Sequence, residues 1–421
     1  MVIYMAQMTP TTGRMVGSLS GNPIPFLIPI FLTIILLSRH PVSFHHKKLW
    51  TFAGIMFCWT IAVCYKWHDF SSGNLSYYFF LFYAIFIAYI HIRVYGRDLF
   101  HIYEHIMVVF SLISLLLWGM SIIFPNTISF FQLFPTTPNN GYNILYLFHW
   151  TNSTRNSGCS WEPGRFAIML ILAIIVNLSR KGVTFHKNKK GIILLAALAS
   201  TMSTTGYSIA ILLYFIYWLE KINIKRILIF FVIILPISAY LFSLDFMAEK
   251  IEERARYEEI HEERLGQFEY YNEETNGEEY VASLDRFESA SFEWLNFQND
   301  PLLGYGRNNK HSWFRQEITE NFELTGGLVK VFSQYGVFVG SLLYLILFLS
   351  SVKISREFPH KRSYAFVLTL MLCSVSYVVF TIPIFTALWF YGLFGCEEDL
   401  KRKSLMKFSN RYNRRVFGND Y

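Results

Sequence analysis

The feature that most constrains this chain is a succession of apolar blocks, each close to the length a helix needs to cross a bilayer. About 20 predominantly apolar residues span a hydrocarbon core about 30 Å thick. Such blocks recur at 24–38, 49–65, 76–92, 101–124, 164–179, 191–203, 206–219, 226–244, 327–351, 363–380 and 382–395. Lipid offers backbone N–H and C=O groups no partner, so helices that satisfy their own are the expected form. Composition agrees: hydrophobic residues make up 53% of the 421 and charged residues 16%, against about 25% charged in a soluble domain. The expectation is an all-α integral membrane protein with about 11 transmembrane helices (roughly 10–12) and one long outer loop. A secreted disulfide scaffold, a disordered regulator and a cytosolic enzyme are excluded.

A net charge of +7 invites a nucleic-acid partner, but the charges sort by side of the membrane. The loop 180–190 carries Arg180, Lys181, Lys187, Lys189 and Lys190, and the turn 220–226 carries Lys221, Lys225 and Arg226. Basic loops stay in the cytoplasm. The chain between them must therefore go out and come back, which predicts a helical hairpin with its tip at Ser203-Thr204-Thr205-Gly206 rather than one long span. The segments 39–48, 93–100, 180–190, 220–226, 352–362 and 396–421 then hold 24 of the 37 Lys and Arg. This places the N-terminus outside and the C-terminus in the cytoplasm.

The domain plan is one membrane domain. It comprises a bundle over 1–244 with a short outer loop at 125–163, an acidic outer loop over 245–326, further spans over 327–395 and a basic tail over 396–421. No repeat is apparent, which counts against an inverted-repeat transporter. The first 23 residues lack the pattern of a cleavable signal, so the first span is expected to act as its own insertion signal. The five cysteines show no metal-ligand or redox spacing. From Asp245 to Glu323 the outer loop holds 20 acidic and 8 basic residues. The simplest account is a solvated face, with Ile251, Ala255, Leu265 and Phe268 on a helix lying at the membrane surface.

Two outer constellations could carry chemistry. The first is Arg155-x-x-Gly158-x-x-x-Glu162-Pro163-Gly164-Arg165. Pro163 suits the first turn of a helix, and Glu162 suits its dipole, so a capped helix start explains the residues. Equally, two guanidinium groups at a helix N-terminus form a site for an anion such as a diphosphate. The second is Asp300-Pro301-Leu302-Leu303-Gly304-Tyr305-Gly306-Arg307, followed by Lys310 and His311. It reads as a tight turn, or as a loop presenting a cationic pair and a histidine able to take a proton from a hydroxyl. A third pattern, His101-x-x-Glu104-His105, matches an inverted zinc-protease motif. Its place at a cytoplasmic helix end reads instead as an interfacial anchor, and no metal is expected.

Taken in order, these segments resemble the O-antigen polymerase and O-antigen ligase superfamily of polytopic bacterial inner-membrane glycosyltransferases. Arg155 to Ala167 resembles the family's R-x-x-G-x-x-x-E-P segment before a span. Ser200 to Tyr207 stands where the family has a T-x-S-R-x-G hairpin tip, with Thr204 or Thr205 in place of arginine. Asp300 to Gly306 with His311-Ser312, then Gln334-Tyr335-Gly336-Val337-Phe338-Val339-Gly340, resembles N-P-x-x-G-x-G, H-N and G-x-x-G. The likeness covers about 150–345.

The resemblance implies a metal-independent, inverting glycosyl transfer at the periplasmic face, with no cofactor. The donor would be an undecaprenyl-diphosphate-linked glycan. Arg155 and Arg165 would bind its diphosphate and His311 would activate the acceptor, the three forming the catalytic set. Glu162, Arg307, Lys310, Gly304, Gly306 and Tyr207 would shape the substrate site. Partners would be the lipid bilayer and, in the cell, flippase and chain-length regulator proteins. The primary expectation is a polymerase for O-antigen or capsular polysaccharide. A ligase that moves the glycan to a lipid A-core acceptor is the alternative, and a transporter or flippase of lipid-linked sugars is a second.

Overall fold

The computed structural model describes residues 24–125, 134–137, 140–142, 146–149, 154–160, 162–184, 186, 188–219, 286–317, 324, 327–376 and 379–395. The first four helices are α1 (Ile24–Arg39), α2 (Lys47–Lys66), α3 (Ser72–Tyr95) and α4 (Asp98–Ile123). Then come α5 (Pro163–Lys181), α6 (Lys189–Ser200) and α7 (Thr204–Trp218). Within the segment 245–326, expected as one long loop, lie α8 (Arg286–Asn299) and α9 (Trp313–Glu317); after it follow α10 (Gly327–Arg356), α11 (Ala365–Ser376) and α12 (Pro383–Phe394). Five of them, α2, α3, α4, α5 and α10, are long and apolar enough to cross a membrane. The segment 125–163 carries a small antiparallel sheet of β1 (Phe134–Thr137), β2 (Asn140–Tyr142) and β3 (Leu147–His149), in that order. The expected span 226–244, the surface helix near 251–268 and the tail 396–421 lie outside the described residues.

Helix boundaries follow local chemistry. The Ser71 hydroxyl accepts the Asn74 N–H at 3.3 Å and opens α3, and Gly96 at φ 51° closes it. Pro163 stands in the first turn of α5, and Gly182 at φ 64° follows its end. Asn188 caps α6 and Ser203 caps α7, each accepting an N–H three residues on. An unmet N–H of the first turn is thereby satisfied in each case.

The chain between the two basic loops does reverse. Met202 sits in the left-handed region at φ 49°, and α6 and α7 run in opposite directions along α5. The Asn188 amide donates to Asn177 at 2.6 Å at one end of α6, and Asn156 N–H donates to Ser200 O at 2.9 Å at the other. On α7, Gly206 lies against Ala167, while Tyr217 OH meets Ser179 Oγ at 2.6 Å.

Helix α5 is the centre of this half of the bundle. In its most apolar 18-residue window 83% of residues are buried, against 39–56% in the other four long helices. It packs against α4, α6, α7 and α11. The other half is built on α10 and α12, with α3 against α12 and α8 against α10. Trp389 ties α12 to α10, its Nε1–H donating to Leu343 O at 2.7 Å.

The outward faces carry Trp50, Phe57, Phe79, Leu116, Phe338 and Leu349, all exposed. In water such a surface would aggregate; lipid tails solvate it.

The helix ends group into two sets. At one end the α2–α3 turn meets the loop 300–311, and segment 154–160 meets the tip of the α6–α7 hairpin. At the other end Glu104 pairs with Arg180, and His360 N–H donates to Ser179 O at 3.1 Å. Helices α3 and α4 connect the two sets.

Candidate functional site

The loop 300–306 is held by a break in α10. Gly336 leaves helical geometry at φ 70°, ψ 176°. In an unbroken helix the Val337 N–H would donate to Ser333 O. Here it donates to Pro301 O at 2.7 Å, and Ser333 O accepts from Tyr305 N–H at 2.9 Å. Gln334 O accepts from Gly306 N–H at 3.0 Å. The break and the loop thus exchange backbone partners, which satisfies groups that a membrane interior would otherwise leave unpaired. Trp59 of α2 adds a bond from its Nε1–H to Leu303 O at 2.9 Å.

This exchange explains the glycines. A Cβ on Gly304 would sit 2.4 Å from Gln334 O, and one on Gly306 would sit 2.5 Å from Tyr78 OH. Both residues have positive φ, which glycine alone adopts without strain. Close approach of the loop to α10 and α3 accounts for them, whatever else the loop binds.

The docked loop delivers His311 to the α2–α3 turn. His311 Nε2 lies 2.9 Å from Asp69 Oδ2. Its ring stacks on Trp67, with centroids 5.0 Å apart and planes 12° from parallel. Asp69 is held in turn. Its Oδ1 accepts the Ser71 hydroxyl at 2.6 Å and the Ser71 N–H at 3.1 Å, and its Oδ2 accepts the Asn308 amide at 3.4 Å. The Ser71 hydroxyl first, then the Ser71 N–H and His311, hold its carboxyl below the usual aspartate value, against the effect of its burial. Lys66 sits over the Trp67 ring at 4.6 Å and forms an ion pair with Asp300.

Arg307 lies half-buried beneath this group. It donates from Nη1 to Gln334 Oε1 at 3.3 Å and to Tyr335 OH at 3.4 Å, and its backbone N–H reaches Tyr78 OH at 3.4 Å. Lys310 is exposed on the short 3₁₀ turn Asn309–His311.

The arginine segment forms a second group at the same end. Arg155 donates from Nε to Thr201 O at 3.2 Å and from Nη2 to Met202 O at 3.1 Å, so it caps the end of α6. Tyr207 donates to Ala199 O of that helix end. Glu162 takes the N-cap position of α5 without a side-chain capping bond, and Arg165 is half-buried in the first turn of α5. The turn between Arg155 and Glu162 is tight: a Cβ on Gly158 would sit 2.5 Å from the Phe166 ring. The expected site residues therefore fall on two segments: Arg155, Glu162, Arg165 and Tyr207 at the start of α5 and the hairpin tip, and Arg307, Lys310 and His311 on the loop docked against α10 and the α2–α3 turn.

Sequence reading missed Asp69, Trp67, Lys66 and Tyr78. The only signal was a short polar turn, Lys66-Trp67-His68-Asp69, between two apolar blocks. It also missed Glu293, which is fully buried on α8 and pairs with Lys330 at 3.5 Å beside the Ser333 hydroxyl. In the zinc-like pattern, Glu104 is committed elsewhere: it accepts from the Asn177 amide at 2.7 Å and pairs with Arg180.

Chemically, the histidine group can set an imidazole against an ionised carboxylate, with cationic side chains beside it. The arginine group can meet an anion with guanidinium groups near a helix N-terminus. No family model matches the chain, and no curated protein sequence matches it.

Proposed function

We propose that this protein is a bacterial inner-membrane glycan polymerase of the O-antigen polymerase and ligase type. It would join undecaprenyl-diphosphate-linked repeat units at the periplasmic face. About eleven spans, a periplasmic N-terminus and a cytoplasmic C-terminus belong to this reading. The observation that carries it is the occurrence, at one end of an apolar helical bundle, of an arginine-bearing helix start and a histidine-bearing loop locked into a broken helix. The order of the segments along the chain, and the buried Glu104 that pairs with Arg180 of a basic loop at the opposite end, support it further.

In this reaction the acceptor sugar hydroxyl attacks the anomeric carbon of the donor. His311 takes the hydroxyl proton as the new C–O bond forms. The bond from that carbon to the diphosphate oxygen breaks, and undecaprenyl diphosphate leaves with the electron pair. Attack from the face opposite the leaving group inverts the anomeric centre. Arg155 and Arg165 stabilise the charge that grows on the diphosphate. Arg307 and Lys310 add positive potential, and Glu162 orients an arginine. A ligase would use the same donor chemistry and differ in its acceptor.

The test is elongation of lipid-linked repeat units by purified protein. A ladder of longer lipid-linked chains is expected from the wild type. Arg155→Ala and Arg165→Ala should lower its rate by about 10²–10³-fold. Arg155→Lys and Arg165→Lys should also be slow, since lysine lacks the bidentate fork. Normal elongation by both alanine variants would remove the diphosphate assignment. In a deletion strain, single repeats on the surface glycan mean polymerase, and long chains retained on the carrier lipid mean ligase. An unchanged ladder would favour the transporter.

A further inference from the structure

The α2–α3 turn carries a group that the reading above leaves without a task. Asp69 accepts four donors: the Ser71 hydroxyl and N–H on Oδ1, and the Asn308 amide and His311 Nε2 on Oδ2. A carboxylate so surrounded is ionised and can only accept hydrogen bonds. His311 Nε2 must therefore carry a proton. In the neutral ring the lone pair then falls on Nδ1, because a neutral imidazole has one N–H and one acceptor. Trp67, stacked 12° from parallel, fixes the plane of the ring. The other charges around it are Lys66 across the Trp67 ring with its partner Asp300, and Arg307 and Lys310 on the ring's own loop.

We infer that Asp69 is the positioning residue of His311: it holds the imidazole as the Nε2–H tautomer in a plane set by Trp67, and so makes Nδ1 the basic nitrogen. The inference rests on the assignment of His311 as the group that activates the acceptor. It adds which atom takes the proton and which residue, more than 240 positions away in sequence, decides that. As the acceptor proton arrives on Nδ1, the ring becomes cationic, and the Asp69 carboxylate already faces its opposite nitrogen. The same pairing therefore orients the base and stabilises its protonated form.

The structure dictates what Asp69→Asn should do. The Ser71 N–H cannot rotate away from Oδ1, so the amide oxygen takes that side. The amide NH₂ then faces His311 Nε2 and needs an acceptor there. The proton is driven to Nδ1, and the base is lost while the side chain keeps its volume.

The experiment is nitrogen NMR of the full-length protein with ¹⁵N-labelled histidine, with the His311 signals assigned by their loss in His311→Gln. Spectra are taken about two pH units above the ordinary imidazole value. Elongation kinetics are measured on the same samples. The expected result is Nε2–H in the wild type and Nδ1–H in Asp69→Asn. The variant's kcat should fall by about 10²–10⁴-fold with KM nearly unchanged. Nδ1–H in the wild type overturns the inference without reference to any variant. An Asp69→Asn protein that keeps Nε2–H and full kcat overturns it as well. Wild-type protein that shows the expected tautomer yet elongates no glycan overturns the reaction and leaves the Asp69 assignment standing.

Discussion

At the scale of single residues, the glycines of the loop and of α10 are held by geometry that can be tested directly. Gly336 has φ 70°, and a Cβ there would lie 2.1 Å from Leu302 O. Backbone strain of this kind costs roughly 1–3 kcal/mol, and the carbonyl must also move. Gly336→Ala should therefore lower the unfolding temperature in detergent and loosen the loop that carries His311. An alanine variant as stable as the wild type would mean that the exchange of backbone partners is not tight. Asp69 gives a second test at this scale. Its folded pKa is lowered by its Ser71 bonds. The stability it contributes is therefore present above the unfolded value of about 3.9 and is lost as pH falls through the lower folded value. The wild type should lose stability across that acid window more steeply than Asp69→Asn, as read by unfolding temperature against pH.

At the scale of elements, α8 docks on α10 through a buried ion pair. Glu293 is fully buried and Lys330 nearly so, 3.5 Å apart. The Asn296 amide donates to Glu293 at 3.3 Å, and the Asn296 carbonyl accepts the Phe314 N–H at 2.9 Å. The pair therefore reaches the segment that follows His311. Lys330→Met would strand a carboxylate in the interior, at a cost of about 3–5 kcal/mol. Adding Glu293→Gln should recover part of that loss, and a double-mutant cycle of unfolding free energies reads the coupling. Additive losses would show that the two side chains do not interact.

The α6–α7 hairpin was legible in sequence because two basic loops on one side require a return crossing. The break at Gly336 was not. Its stretch, Val331 to Phe348, is mostly apolar despite Ser333, Gln334 and Ser341, and reads as one helix. Only the arrival of the loop 300–306 supplies the partners that make a break affordable.

At the scale of the whole molecule, the two sets of helix ends make a statement about sidedness. Lys310 belongs to one set and Lys189 to the other, and both are exposed. With the five native cysteines replaced, Lys310→Cys should react with a membrane-impermeant maleimide added to intact spheroplasts. Lys189→Cys should react only after permeabilisation. The reverse pattern would invert the topology and remove the periplasmic assignment. The buried Glu104 carboxylate, paired with half-buried Arg180 and joined by Asn177 and Asn188, braces α4, α5 and α6 at the Lys189 end. It leaves the opposite end as the place where the polar loops gather.

Sequence alone determined the features that depend on local pattern. Apolar length set the helices, and the starts and stops of α3, α5 and α7 lie within a few residues of the expected blocks, because caps, prolines and glycines act on their neighbours. Basic loops set the hairpin, and the segments bearing Arg155, Arg165 and His311 were visible as polar islands next to spans. Tertiary structure decided what each island touches. Arg155 meets the carbonyls at the end of α6, and His311 meets Asp69 from a turn far upstream. The glycines of the loop fit a broken helix. Contacts between residues so distant in sequence arise from how helices pack, and no periodicity or spacing along the chain encodes them.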